Sequence, residues 1–164
     1  DLTEGMDTRG GEKLNSWVWR VRLWQNAWPS IQERLLIGHG LGNFRYLSRG
    51  FAGFASEREW GVPAHNVYVE LLVETGIFGL LAYLSIYATI LGTFFRRIFR
   101  TKGASSTEAA VLFSYVVGYL MVCFGDNALY YLSFNWYLWF FLGVVLAGHA
   151  LETKPPAAVR TQEL

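Results

Sequence analysis

TGIFGLLAYLSIYATILGTFF, residues 75–95, is a run of 21 residues without a single charge. A soluble helix of that length must turn one face to water, and that face carries charged side chains. A bilayer-spanning helix instead needs about 17–25 predominantly apolar residues, so the stretch reads as a transmembrane helix. Two more uncharged runs follow, Ala109 to Gly125 with 17 residues and Asn127 to Leu151 with 25. The chain carries 16% charged residues, against roughly 25% in a soluble domain, and these runs account for the shortfall. The sequence therefore predicts an all-α integral membrane fold with three transmembrane helices.

Orientation follows from the short basic stretch RRIFRTKGASSTE at 96–108. Arg96, Arg97, Arg100 and Lys102 crowd one end of the first span, and the positive-inside rule assigns such a loop to the cytoplasm. The expected layout is then an extracytoplasmic segment 1–63 with an amphipathic helix over 15–36, and a helix 64–95 that enters and forms the first span. A basic cytoplasmic loop 96–107, a second span 108–125 and a short outer turn 126–132 follow. A third span 133–150 and a cytoplasmic tail 151–164, with Lys154 and Arg160, complete it. The chain opens at Asp1 without methionine, basic region or apolar leader, so the expectation is the C-terminal part of a longer membrane protein. Cys123 is the lone cysteine and reads as a small buried apolar residue. Net charge +1 gives no basis for a nucleic-acid partner, and none is expected.

Residues 1–13 are polar and glycine-bearing and read as a loop. From Leu14 the apolar positions Trp17, Val18, Val21, Trp24, Ala27, Trp28, Ile31 and Leu35 recur at three-and-four spacing, the mark of an amphipathic helix. Asn15 or Ser16 can cap it, and Pro29 is expected to kink it or start a second piece. Its tryptophans suit a membrane interface. Arg20 shares a face with Trp17 and Trp24, whereas Arg22 lies about 200° round the helix from it. A guanidinium on an apolar face needs an anion or an aromatic partner. A cation–π contact with Trp24 and a lipid headgroup phosphate are both open.

Next, LLIGHGLGNFRYL at 35–47 offers Gly38, Gly40 and Gly42. A dinucleotide fingerprint needs its third glycine where Asn43 stands, and no strand pattern precedes it, so a nucleotide site is not expected. The reading is a tight turn that lets backbone approach closely, with phosphate contact by its amides as the alternative. Glycines and Pro63 make 45–63 an irregular loop bearing Arg45, Arg49 and Arg58. Pro63 then suits the first residue of a helix with His65 in its first turn. Asn66, Glu70 and Glu74, four apart, form a polar stripe beside His65 at the mouth of the first span.

RVRLW at 20–24, GHGLGNF at 38–44 and AHNVYVELLVETGIFGLL at 64–81 resemble, in this order, the O-antigen ligase-like membrane proteins, which are bacterial polysaccharide ligases and polymerases of the cell envelope. The resemblance covers Ser16 to Phe95 by motif and the remainder by hydropathy. It implies an inner-membrane protein of ten or more spans with its active side in the periplasm, of which this chain supplies the last large loop and final helices. The implied activity is inverting, metal-independent transfer of a glycan from an undecaprenyl-pyrophosphate carrier to an acceptor hydroxyl on a lipid A core or a growing polysaccharide. The implied partners are that donor, that acceptor, membrane lipid and the preceding helices of the same protein. By motif the pyrophosphate-binding arginine falls on Arg20, with Arg22 as the neighbour that could take its role, and the histidine that activates the acceptor falls on His65.

The residue chemistry agrees with those roles. Guanidinium groups bind phosphate oxygens bidentately and stabilise the charge that builds on a departing pyrophosphate, for which Arg45 is a further candidate. Histidine suits removal of a hydroxyl proton near neutral pH. Asn66, Glu70 and the three loop glycines are expected to support the site. Neither a D-x-D pair nor a metal-ligand spacing occurs, so no metal or cofactor is expected. The alternative reading is a non-catalytic scaffold or flippase partner in polysaccharide export.

Overall fold

A computed structural model describes residues 16–52 and 61–152. The N-terminal loop 1–13, Asn15, Arg58, Lys154 and Arg160 lie outside the described residues, as does most of the tail 151–164. The helices are α1 (Ser16–Glu33), α2 (Asn43–Ser48), α3 (Val67–Arg100), α4 (Ala104–Gly125) and α5 (Leu132–Glu152), with a 3-10 turn at Ala128–Tyr130. No strand occurs among the described residues. The chain forms two compact units, one ending at Tyr130 and one beginning at Tyr131.

In the first unit α3 and α4 form a hairpin closed by Thr101–Gly103. Both helices are long and apolar enough to cross a membrane. The predicted basic loop 96–107 thus narrows to three residues. A charge ends the apolar stretch without ending the helix, because arginine is a good helix former and is favoured at a helix C-terminus. Arg97 reaches across to bond the Ser105 side chain and carbonyl, and Ser106 Oγ donates to the Ile98 carbonyl at 2.9 Å. Between the helices Tyr87 stacks on Tyr119 with ring centroids 5.6 Å apart, and Tyr68 Oη donates to the Leu120 carbonyl at 2.7 Å. Such polar contacts add to packing where lipid removes the hydrophobic drive between helices.

The open end of the hairpin carries α1, α2 and the loops. Leu23, Ala27 and Ile31, spaced four apart on α1, are buried against Phe44, Val62, Ala64 and Val73. Ala27 and Ile31 belong to the apolar series the sequence predicts, but Leu23 does not, and Trp17, Val18, Trp28 and Leu35 of that series are exposed. Helix α1 ends at Glu33 rather than 36 and runs through Pro29 as one element. The expected irregular loop 45–63 begins with helix, because α2 extends to Ser48. Pro63 and His65 precede α3 instead of opening it. Asn66 is the N-cap, its Oδ1 accepting from the amides of Tyr68 at 2.9 Å and Val69 at 3.1 Å, and asparagine is among the strongest residues in that role.

The decisive feature is a break in α3 at Gly76, where φ is 66° and ψ −168°. An unbroken helix would bond the Ile77 amide to the Val73 carbonyl and the Phe78 amide to the Glu74 carbonyl. Residues 35–40 enter that gap. Val73 O accepts from His39 N at 2.9 Å and Glu74 O from Gly40 N at 2.8 Å. Ile77 N donates to Leu35 O at 2.8 Å and Phe78 N to Leu36 O at 3.4 Å. Two helical bonds are replaced by four, and no backbone group of the pair is orphaned. The two main chains cross so closely that a Cβ on Gly38 would lie 2.4 Å from the Glu74 carbonyl carbon, and one on Gly76 2.4 Å from that of Leu36.

The second unit is α5, whose described apolar part, Leu132–Gly148, is shorter than the two span candidates. Tyr131 O accepts from the Asn135 backbone and side-chain amides, both at 3.0 Å.

The crossing separates the glycines by consequence. Gly38, Gly40 and Gly42 all have positive φ, but a Cβ on Gly42 meets nothing. Gly42→Ala is expected to cost only the left-handed backbone penalty of about 1–2 kcal/mol. Gly38→Ala and Gly76→Ala add a backbone collision and should each lower the melting temperature of the detergent-purified protein by clearly more. Equal melting temperatures for all three variants would remove the crossing as a structural determinant.

Candidate functional site

The segment between Val62 and Asn66 crosses the open end of the hairpin and is pinned at almost every peptide. Val62 N donates to Ser48 Oγ at 2.8 Å. Ala64 N donates to Glu70 Oε2 at 3.1 Å and Ala64 O accepts from Trp24 Nε1 at 2.8 Å. Asn66 N donates to Asn127 Oδ1 at 2.9 Å, and Asn66 Nδ2 to Phe124 O at 3.0 Å. His65 sits in the middle with φ 49°, alone among the described non-glycine residues in positive φ. That conformation costs about 1–3 kcal/mol and persists only where the surroundings over-determine it. The flanking bonds supply that restraint.

The His65 imidazole is half-buried, edge-on to Trp19 with centroids 5.6 Å apart. Its Nδ1 lies 3.6 Å from Asp126 Oδ1, within electrostatic reach and just beyond hydrogen-bonding distance. Arg20, next to Trp19 on α1, is close enough for its charge to act on the ring. Burial chiefly, and then the Arg20 charge, push the His65 pKa below the ordinary histidine value of 6.5. Asp126 and, more weakly, Glu70 act in the opposite sense. The result is an imidazole that is uncharged at neutral pH.

Glu70 is the hub beneath it. Its buried carboxylate accepts from the Ala64 amide, the Asn127 side-chain amide and the Tyr130 hydroxyl. It touches the residue before His65 rather than the ring. The polar stripe Asn66, Glu70 and Glu74 is entirely buried, because each member bonds inward. Glu74 accepts from the amides of Gly42 and, at 3.1 Å, Phe44, where it caps the otherwise uncapped start of α2. Beyond Glu70 lies a cavity of about 240 Å³, walled by Leu41, Val67, Leu71 and Leu129 with Glu70 and Tyr130 on its rim. Arg45 is exposed and does not line this cavity, though its charge acts weakly on Tyr130.

Arg20, His65, Asn66 and Glu70 therefore converge. Arg22 is exposed on α1 and is not drawn toward His65. The Arg20 charge acts on the histidine; Trp24, one of the two partners left open for Arg20, bonds the Ala64 carbonyl and packs on Trp17 at 5.6 Å. The amides of Gly38, His39 and Gly40 all donate to protein carbonyls; Gly38 serves close approach to the α3 backbone, whereas a Cβ on Gly40 would meet the Asn43 side chain and one on Gly42 nothing. His39 bonds the Ser30 carbonyl through Nε2 at 2.8 Å, a structural role. Among the described residues no cluster of three metal-ligating side chains occurs. The sequence alone reads Asp126 as an outer-turn residue and Tyr130 as an interfacial or packing residue, neither as part of the site, and gives Asn127 no role. Their signal was that Asp126 is the sole charged residue between 109 and 151.

A family model described as O-antigen ligase matches residues 2–84, which contain α1, α2 and the start of α3. The chain is also 30% identical over 139 residues to the teichuronic acid biosynthesis protein TuaE of Bacillus subtilis (strain 168). That alignment covers 83% of this chain and 27% of the relative, so the chain spans about a quarter of that curated protein's length. No solved structure matches it. The chain belongs to the O-antigen ligase family, which ties it to polysaccharide biosynthesis at a membrane.

Removal of the hub carboxylate tests the geometry directly. Glu70→Ala leaves three buried or half-buried donors unmatched, each costing about 1–3 kcal/mol. The expected outcome is a marked fall in melting temperature together with rapid hydrogen exchange at the Ala64 amide. An unchanged exchange rate there would show that Glu70 does not hold the His65 segment.

Proposed function

We propose that the full-length protein transfers a glycan from an undecaprenyl-pyrophosphate carrier to an acceptor hydroxyl on the periplasmic face of the inner membrane. The basic residues at the closed end of the hairpin favour a cytoplasmic location for that end, which turns His65 and Arg20 outward. The acceptor hydroxyl attacks the anomeric carbon with inversion, its proton passing to the uncharged His65. The bond from that carbon to the pyrophosphate oxygen breaks, and undecaprenyl pyrophosphate leaves with the electron pair. Arg20 meets the charge that builds on it, with Arg45 as a second cation, and the apolar cavity suits the first isoprene units of the carrier. Asp126 is a positioning residue that steadies the imidazolium formed in the step. The relative's part in teichuronic acid biosynthesis favours a growing polysaccharide as acceptor.

The observation that carries this reading is a half-buried imidazole, held in a pinned loop segment, that lies within reach of the Arg20 charge on α1. A scaffold has no need of a histidine whose basicity is set by a neighbouring cation, and would show no turnover with lipid-linked donor and acceptor.

In a reconstituted full-length protein, His65→Ala and Arg20→Ala should each reduce transfer by at least about 100-fold, the lower range for a general base or a charge-stabilising group. Normal transfer by both variants would dismiss these roles.

The pH profile gives a second test. Activity needs the neutral imidazole, so the acidic limb of kcat/KM should fall below pH 6.5 and be flat through neutrality. Arg20→Gln removes a charge that lowers the pKa and should move residual activity's limb to higher pH. Asp126→Asn removes one that raises it and should move the limb lower. Shifts in the same direction would exclude His65 as the titrating base.

A further inference from the structure

We propose that residues 35–41 form a tip inserted among the lipid acyl chains beside α3, anchoring the open end of the hairpin at the membrane surface. The inference goes beyond glycan transfer and stands without it.

Four large apolar side chains on this turn face outward. Leu35 and Leu36 are about half exposed, Ile37 is 71% exposed and Leu41 78%. Singly such residues mean nothing, but here they are contiguous and sit on a turn whose depth is fixed by its partners. Leu35 and Leu36 accept from the amides of Ile77 and Phe78. Those two residues open the uncharged part of α3 that lies beyond the break and runs to Phe95. Its 19 residues extend about 28 Å at 1.5 Å each, which matches a hydrocarbon core of about 30 Å. Ile77 and Phe78 therefore stand at the hydrocarbon boundary, and the turn hydrogen-bonded to them stands at the same depth. Phe78, 62% exposed, continues the apolar surface of Leu36 and Ile37 onto the span.

Non-helical backbone at that depth is tolerated only where its polar groups are satisfied within the protein. The turn's bonds to α3 go toward meeting this condition. Gly38 N donates to Arg34 O at 2.8 Å, and the amides of His39 and Gly40 and the carbonyls of Leu35 and Leu36 all pair with α3. Arg34 precedes the apolar tip in the chain and Arg45 follows it, both exposed, and such side chains can reach lipid phosphates while apolar neighbours lie deeper. The occupant is therefore the acyl region of the adjacent leaflet.

The test uses the full-length protein in vesicles of phosphatidylethanolamine and phosphatidylglycerol. Nitroxide side chains are introduced singly at Ile37 and Leu41, with Phe78 as the lipid reference and exposed Gln25 as the aqueous one. Collision rates with oxygen and with a water-soluble nickel chelate are compared. The expected result is an oxygen-to-nickel ratio at 37 and 41 severalfold above that at 25 and close to that at 78. A bimane fluorophore at the same two positions should likewise be quenched by brominated acyl chains and not by iodide. Ratios matching Gln25 overturn the proposal, as do labels shielded from both reagents, the signature of cover by another helix or a second copy. An aqueous reading at Phe78 overturns it together with the depth of the span, whereas the assignments of His65 and Arg20 are untouched by any of these results.

Discussion

The crossing of two main chains at Gly38 and Gly76 is the constraint on which the rest of the molecule depends. A helix that breaks in its interior leaves two carbonyls and two amides without partners, and each such group left unsatisfied when buried costs about 1–3 kcal/mol. Residues 35–40 supply the complementary groups in register. The register leaves no room for a side chain at either crossing point, because each glycine faces the other strand's carbonyl carbon at 2.4 Å from where its Cβ would be. One contact thus satisfies the break, joins the end of α1 to α3 and fixes the direction of the segment 67–75.

That direction is what the site requires. With α3 broken, its first turns carry Asn66 and Glu70 toward the end of α4, where Asn127 and Phe124 receive them. The peptides on either side of His65 are then held by Glu70, Trp24 and Asn127. Three such bonds contribute on the order of 1 kcal/mol each, enough to offset the strain of one left-handed residue. The tryptophans of α1, which composition alone assigns to a membrane interface, act here as braces. Trp24 bonds the Ala64 carbonyl and Trp19 packs on the imidazole. Arg20 comes to His65 as the neighbour of Trp19.

Hydropathy made the α3–α4 hairpin legible, since an uncharged run of 21 residues has the length of a bilayer crossing and offers no face to water. Three-and-four spacing made α1 legible as a helix and picked out Ala27 and Ile31 of its buried stripe, but not Leu23, because the large tryptophans drew the predicted face toward positions that are exposed. The helix boundaries were less so. Pro63 offered a plausible start, but capping chemistry at Asn66 decided it. The first arginine offered a plausible end to α3, yet the helix ran on because a charge closes a span and not a helix. The reciprocal glycines stood in view as composition, while their partnership across the chain is a pairwise fact that no single-residue pattern encodes. Asp126 was hidden for the same reason. A lone carboxylate in a turn becomes significant only once its 3.6 Å approach to His65 Nδ1 is known.

The charges around His65 also explain why a base can rest beside a cation. At the ring the Arg20 charge is opposed by two carboxylates, Asp126 and Glu70, and the half-buried neutral imidazole carries no charge to desolvate. Under the proposed transfer the ring gains a proton as negative charge leaves on the pyrophosphate. The protonated ring then faces Asp126 and Glu70, and the 3.6 Å gap to Asp126 closes into a charge-assisted hydrogen bond. The cation that lowers the basicity of His65 at rest is thus neutralised by the leaving group at the moment the proton arrives. That arrangement strengthens in the transition state more than in the ground state, which is the condition for lowering a barrier rather than only tightening binding.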